Sequence, residues 1–363
     1  MTSLYQYWTG HWDATVAWLA DHAVIPLLQA LHLLRWADDP SEIAGYFLIT
    51  LIQVALIAGL LRPLESLLPV ERWTVRSHTA IDRRYTLIKL FGVLPAFTYV
   101  ALTALGKMFG GADDDDAGGL VSLAGLFPWF GAHPVAQFLV YYLIYDLVYY
   151  VIHRLQHAIP WWWALHSLHH SQRQLSCWSN DRDHYLDDLF ESLIVAGVAV
   201  LIGVAPTDYA LLVLLTEFNQ NVSHVNARVR FGPLLDKLLV DPLFHRLHHM
   251  QVDPARPNLH NCNFAIMFPL WDIVFGTALY GEAARPTGVM DPTVDADNQR
   301  GLLAQQWHTL RRFAVAIRHR AGWRPGDVSF DENYVPSPVT HHEAAPMAAG
   351  TERVHLSYDE AAH

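Results

Sequence analysis

The sequence predicts an all-α integral membrane helical bundle, about four spans plus a hairpin, with a helical, histidine-rich cap on the cytoplasmic side. Three observations lead there. Of the 363 residues, 52% are hydrophobic and only 16% charged, a balance of membrane proteins rather than soluble enzymes. Several long runs carry no formal charge. Half of the 22 histidines lie between His153 and His260, in tight groups.

Residues 1–42 lack the basic start and apolar core of a cleaved signal peptide. They read as an amphipathic, interfacial segment with Trp8, Trp12 and Trp18 as anchors. Residues 43–133 form a transmembrane region. Ile43 to Leu61 is an uncharged run of about twenty residues, enough to cross the ~30 Å hydrocarbon core, and Leu90 to Gly106 is a second. Between them stand Arg62, Arg72, Arg76, Arg83, Arg84 and Lys89, which the positive-inside rule places in the cytoplasm. The acidic run GGADDDDAGG after the second span fits the opposite side.

Residues 134–285 carry the chemistry. Pro134 to Ile152 reads as a third span that returns to the cytoplasm and delivers His153 there. Leu189 to Val204 and Tyr209 to Glu217, split by Ala205, Pro206 and Thr207, form a hairpin with both ends on the histidine side. Its second arm is short for a span, so a re-entrant hairpin fits equally well. From His245 the chain reads as a cap, and residues 286–323 as a C-terminal cytoplasmic helical region. Residues 324–363 are Pro/Ala-rich and read as a disordered tail.

Composition also excludes classes of function. The net charge of −11 comes largely from the acidic run and the tail, so nucleic acid is not an expected partner. Cys177 and Cys262 are the two cysteines, too few for thiolate-held zinc or an iron–sulfur cluster.

The histidines fall into HRLQH (His153, His157), HSLHH (His166, His169, His170) and HRLHH (His245, His248, His249). Positions i, i+3 and i+4 share a helix face, and neutral imidazole binds iron, copper and zinc. A lone histidine is usually a hydrogen-bonded structural residue, so His11, His22, His32, His78, His133, His308, His319, His341 and His342 receive no role. Eight in three such groups point to metal. Eight imidazoles exceed the four that zinc takes, so two ions fit the count. His184 and His224 follow stretches that return to the same surface and raise the set to ten; His260, in a loop, is a weaker candidate. Ligating imidazoles usually donate their other N–H to a carboxylate. Asp146, two turns before His153, and Asp187 and Asp188, at i+3 and i+4 from His184, are the candidates.

The order HRLQH, HSLHH, HRLHH resembles the fatty acid hydroxylase/sterol desaturase superfamily of integral-membrane di-iron oxygenases. The resemblance runs from about Tyr142 to Tyr280, through DLVYYVIHRLQH, PWWWALHSLHHS, FNQNVSHVNARV and PLFHRLHHM. It closes on Asn263, Phe264, Trp271, Asp272, Phe275, Gly276 and Thr277, similar to the family's Asn-aromatic…Trp-Asp…Phe-Gly-Thr ending. It implies that His153, His157, His166, His169, His170, His245, His248 and His249 bind two iron ions, with His184 and His224 added and zinc a possible substitute in isolated protein. It implies O2-dependent hydroxylation or desaturation of a membrane lipid. Many relatives carry Arg-aromatic-His-Pro-x-Glu where this chain has Arg182-Asp183-His184-Tyr185-Leu186-Asp187, which suggests a different substrate channel.

No G-x-G-x-x-G follows a strand and no haem-binding module is visible. Electrons are therefore expected from a separate reductase, ferredoxin or cytochrome-type partner. Two other classes compete. A metal transporter predicts ionisable residues along the spans, whereas these histidines gather at one end. A zinc hydrolase wants a glutamate as in His-Glu-x-x-His, which none of the three motifs has.

Overall fold

The computed structural model describes residues 4–36, 39–76, 78–94, 97, 123–253, 255–256, 259–318 and 341–342. These are mostly helical. Among the described residues, regular strand is confined to Arg72–Trp73, paired antiparallel with His341–His342. The chain divides into two compact units, residues 1–60 and 61–363.

In the first unit, α1 (Leu4–Leu19) passes through a π-helical turn into α2 (Ile25–Ala30). It packs against α3 (Pro40–Leu56), closely enough that a Cβ on Gly45 would stand 3.9 Å from Val16 Cγ2. Asp39 caps α3 by accepting from the Ser41 N–H at 2.7 Å, and Pro40 opens its first turn, where a missing N–H costs nothing. Ile43, Phe47, Leu51 and Ile52 are exposed, an outer face suited to lipid.

The second unit contains α4 (Thr79–Ile88), α5 (Pro134–Ala158), α6 (Pro160–His170), α7 (Tyr185–Leu201), α8 (Pro206–Ser223), α9 (Pro242–His248), α10 (Leu270–Phe275) and α11 (Leu302–Arg318). Helix α6 packs between α5 and α11, with α7 against both α5 and α6. Prolines at the first turns of α5, α6, α8 and α9 set where each helix begins. Only Ile159, held extended, separates α5 from α6. The residue before a proline is barred from the helical region, so the chain doubles back there.

Among the described residues, two helices are long and apolar enough to cross a membrane: the 28 residues of Pro40–Leu67 and the 25 of Pro134–Ala158. At 1.5 Å per residue α5 extends about 38 Å, longer than the ~30 Å hydrocarbon core. That excess equals the rise from His153 to Ala158, the stretch that also carries His157. The expected span Leu90–Gly106 lies within the described residues only to Leu94 and at Phe97; the acidic run and the tail, apart from His341–His342, lie outside them. Lys89, one of the six basic residues expected in the loop, is buried among carboxylates, and Arg76 pairs with Glu65.

Candidate metal centre

Nine histidines converge in two groups. His153, His157, His166, His170 and His248 form one; His169, His224, His245 and His249 form the other. In each, one ligand atom per residue lies within 4.8 Å of all the rest. The division follows helix geometry. At 100° per residue, positions i and i+4 stand 40° apart and i+3 points 60° to the other side of i. HSLHH sends its i, i+4 pair, His166 and His170, to the first group and its i+3 residue, His169, to the second. HRLHH does the reverse, giving His245 and His249 to the second and His248 to the first. The two copies are complementary halves of a pair of sites.

The nitrogens face one another as ligands do around an ion. Nε2–Nε2 separations are 3.0 Å for His157–His170, 3.1 Å for His248–His170, 3.1 Å for His245–His224 and for His249–His245, and 3.2 Å for His224–His169. Two nitrogens about 2.1 Å from a shared ion and at right angles to each other stand about 3.0 Å apart.

Proton placement decides between ligands and a histidine hydrogen-bond chain. Nδ1 of His153 lies 2.7 Å from the Phe264 carbonyl, Nδ1 of His248 2.8 Å from that of Cys262, and Nδ1 of His224 2.7 Å from that of Gln220. A carbonyl only accepts, so each Nδ1 carries the proton and each Nε2 presents a bare lone pair. His169 Nδ1 stands 3.0 Å from Asp183 Oδ1 without hydrogen-bond geometry; the negative charge draws the ring proton to that nearer nitrogen, the same tautomer. The Nε2 lone pairs of His169 and His224 then meet head-on, an arrangement that a cation between them resolves. In the first group, the buried Nε2 atoms of His153 and His166 have no hydrogen-bond partner. The residues fit a metal pair.

Burial holds His170, His224, His245 and His249 well below the ordinary histidine pKa, and neighbouring imidazoles add to the effect. His248 is lowered to about 3 for the same reason. All five are therefore neutral and ready to bind near pH 7. The linkage has a definite sign. Between the depressed folded values and the unfolded value near 6.5, the unfolded chain binds more protons. Stability of the metal-free protein is expected to be flat above about pH 6.5 and to fall as pH drops below it; melting curves of chelated protein at pH 7.5 and 5.5 check this.

The remaining candidates divide. His184 belongs to neither group: it is the N-cap of α7, its Nδ1 accepting from the Leu186 N–H at 3.1 Å while Nε2 lies 3.1 Å from the Gln306 carbonyl. With both ring nitrogens engaged, His184→Ala should leave metal content unchanged and cost about 1 kcal/mol as a lost cap, read by metal analysis and thermal unfolding together. Asp187 does orient an imidazole, but that of His166, at 3.3 Å; its other oxygen accepts from Trp162 Nε1 at 2.6 Å and Gln156 Nε2 at 3.0 Å. Asp188 instead faces Lys89 at 3.2 Å. Asp146 touches no histidine; it accepts from the backbone N–H groups of Met267 and Phe268 at 3.0 and 3.1 Å. Seven residues before His153 is the right face but about 10 Å down the axis.

Asp183, which sequence reasoning missed, sits in an irregular segment where no periodicity marks it. Burial alone would raise its carboxyl, yet His169 and Lys89 outweigh that and hold it below the usual carboxylate range. Arg246, the buried arginine of HRLHH, pairs with Glu71 at 2.6 Å and joins neither histidine group.

A sequence profile of the fatty acid hydroxylase family matches residues 138–277. All nine clustered histidines fall inside that stretch. The chain is 30% identical over 244 residues to the ornithine lipid hydroxylase OlsE of Rhizobium tropici, covering 66% of this chain and 69% of that protein. No solved structure matches.

Proposed function

The chain belongs to the fatty acid hydroxylase/sterol desaturase superfamily, and from that membership we propose that it is a membrane-bound di-iron oxygenase that hydroxylates a C–H bond of a polar lipid. The observation that carries the reading is the pair of inward-facing imidazole groups, five and four strong. Five nitrogens on one ion exceed tetrahedral zinc and suit iron.

The assignment gives His153, His157, His166, His170 and His248 to one iron and His169, His224, His245 and His249 to the other. Bound there, the irons supply the O2 reduction that unactivated C–H oxidation requires. Over one turnover, one oxygen atom enters the C–H bond and the other leaves as water. Two electrons come from a separate protein donor and two protons from solvent. The chain's own part is to hold the tautomers. The Phe264, Cys262 and Gln220 carbonyls keep three Nδ1 protons in place, and Asp183 and Asp187 do the same for His169 and His166. Burial of the His153, His166, His169, His224 and His248 rings excludes water that would otherwise intercept the oxidant. In this reading the cages lie at the cytoplasmic surface, above the apolar helices.

The test is anaerobic purification with metal analysis, followed by mass spectrometry of lipids from cells with and without the gene. About two irons per chain and an O2-dependent product 16 mass units heavier support the hydroxylase. A product 2 units lighter makes it a desaturase, and zinc at full occupancy with no O2-dependent change in lipid overturns the reading.

A further inference from the structure

Helix α5 carries an exposed apolar row at i+4 spacing, Val135, Leu139, Leu143, Val151 and Leu155, with half-buried Leu147 completing it. From Val135 to Leu155 the rise is about 30 Å, the thickness of the hydrocarbon core. The row suits lipid over the whole of that height.

Residues 267–275 lie against α5 within the same height. Asp146 accepts from the Met267 and Phe268 N–H groups at 3.0 and 3.1 Å, and Phe268 meets Tyr142 with ring centroids 5.3 Å apart. At the other end Phe275 stacks on Tyr150, centroids 5.3 Å apart. Asp146 and Tyr150 stand about 14 and 8 Å below Leu155 along the axis. They immediately precede Leu147 and Val151 of the apolar row. The flank that holds the segment is therefore one step of about 100° from that row.

The outer side of the segment suits this depth. Leu270, Ile273, Val274 and Phe275 are exposed, Val274 by 61%. Asp272, the one charged residue between Phe264 and Tyr280, is fully buried. The Val240 N–H donates to the Met267 carbonyl at 2.9 Å, which brings the exposed Leu234, Leu235 and Leu238 alongside. Arg154 and Lys237, both exposed, flank the patch, as cations do where acyl chains give way to headgroups.

The backbone gives a second, independent observation. Non-helical chain is tolerated at membrane depth only where protein satisfies its polar groups. The Phe264 and Ala265 N–H groups go to Asp272, those of Met267 and Phe268 to Asp146, and position 269 is a proline with none. The Ile266 carbonyl accepts from Asn219 Nδ2 at 2.6 Å. A carboxylate inside a span is costly without a partner; Asp146 has two, and both belong to this segment.

We propose that residues 267–275 are embedded in the bilayer leaflet nearer the metal groups, with Leu270, Ile273, Val274 and Phe275 against lipid acyl chains and Asp146 as the internal tether. Continuity selects the bilayer as occupant: the apolar row of α5 runs past a segment whose outer side is equally apolar at the same height. Acyl chains then come within two rings of the five-histidine group. Behind Phe275 stands Tyr150, and behind that Phe264, whose ring centroid is 6.3 Å from that of Tyr150 and 5.7 Å from that of His153. Membrane contact at α10 does not depend on what the metals do.

The test places an environment-sensitive fluorophore on Val274→Cys, Leu143→Cys or Arg256→Cys of the full-length protein in phosphatidylcholine vesicles. Cys177 and Cys262 are buried, and wild type taken through the same labelling is the blank. The probe at position 274 is expected to be quenched by lipids brominated on the acyl chain, as the one at 143 is. It should also lose the iodide quenching that the probe at 256 shows. Iodide quenching at 274 equal to that at 256 overturns the proposal. So does an iodide-open position 143, which removes the span that α10 lies beside. Shielding at 274 from iodide and bromolipid alike, varying with the protein-to-lipid ratio, assigns the face to a second copy of the chain. Shielding that appears only with an added ferredoxin or cytochrome assigns it to a protein donor, and either result overturns membrane contact. A measurement on wild type guards against misfolded variants: a lipid with a photoactivatable diazirine on its acyl chain is activated in the same vesicles. Adducts are expected on Leu270–Phe275 and on α5; their absence from Leu270–Phe275 overturns the proposal.

Discussion

His169→Ala is expected to cut bound iron from about two per chain to about one and to lower lipid oxidation by more than the 10–100-fold that loss of an orienting partner costs. The four-histidine group has no spare ligand, and His169 is its sole contribution from α6. The stability effect should differ between the loaded and metal-free forms. Metal binding stabilises the folded state in proportion to its affinity, so the loaded variant melts lower than loaded wild type. In the metal-free protein, the substitution removes the head-on lone pairs of His169 and His224, 3.2 Å apart, and offsets part of the packing it loses. The gap between loaded and metal-free melting temperatures therefore narrows. A variant that still binds two irons per chain would show that His169 is not a ligand.

The motif histidines were legible because i, i+3 and i+4 spacing survives any change of tertiary context. What spacing could not give is which residue joins which group. By spacing alone, the two copies of His-x-Leu-His-His read as opposing walls of one dinuclear cage. In the structure each copy serves both sites, split by the 100° step of the helix, and their roles are reversed. His224 could be found only by its return to the same surface. His184 shares that property yet spends its ring on a helix cap and a carbonyl. Sequence counts a histidine; it does not show what its nitrogens already hold. Asp183 and the carbonyls of Cys262 and Phe264 were not legible at all, because they orient imidazoles from irregular backbone. Lys89 shows the same limit in the topology argument, since a basic residue that reads as a loop charge is buried as the counter-ion of four carboxylates.

The Trp-Asp…Gly-Thr ending gains a physical role from this irregular backbone. Asp272 is fully buried and accepts from the Phe264 N–H at 2.9 Å, the Ala265 N–H at 2.7 Å and Thr277 Oγ1 at 2.6 Å. Gly276, at φ 72°, ends α10 in the left-handed conformation that lets Thr277 turn back to it, and Asn263 holds φ 57° while its side chain ties Phe244 and Leu279. The product of this fold is the position of two carbonyls, those of Cys262 and Phe264, which fix His248 and His153 in the five-histidine group. Asp272→Ala leaves two buried N–H groups unpaired at about 1–3 kcal/mol each, so a loss of about 2–6 kcal/mol is expected in the metal-free protein. Well below its melting temperature, the variant should also lose iron from the five-histidine site first, because free carbonyls no longer hold the Nδ1 protons and the two rings turn. Asp272→Asn should fall between, since its one remaining oxygen serves one N–H while its amide opposes the other. Iron content separates this from a purely structural role: an Asp272→Ala protein that melts early but binds the full iron complement when cold would show that the aspartate supports the fold and not the site.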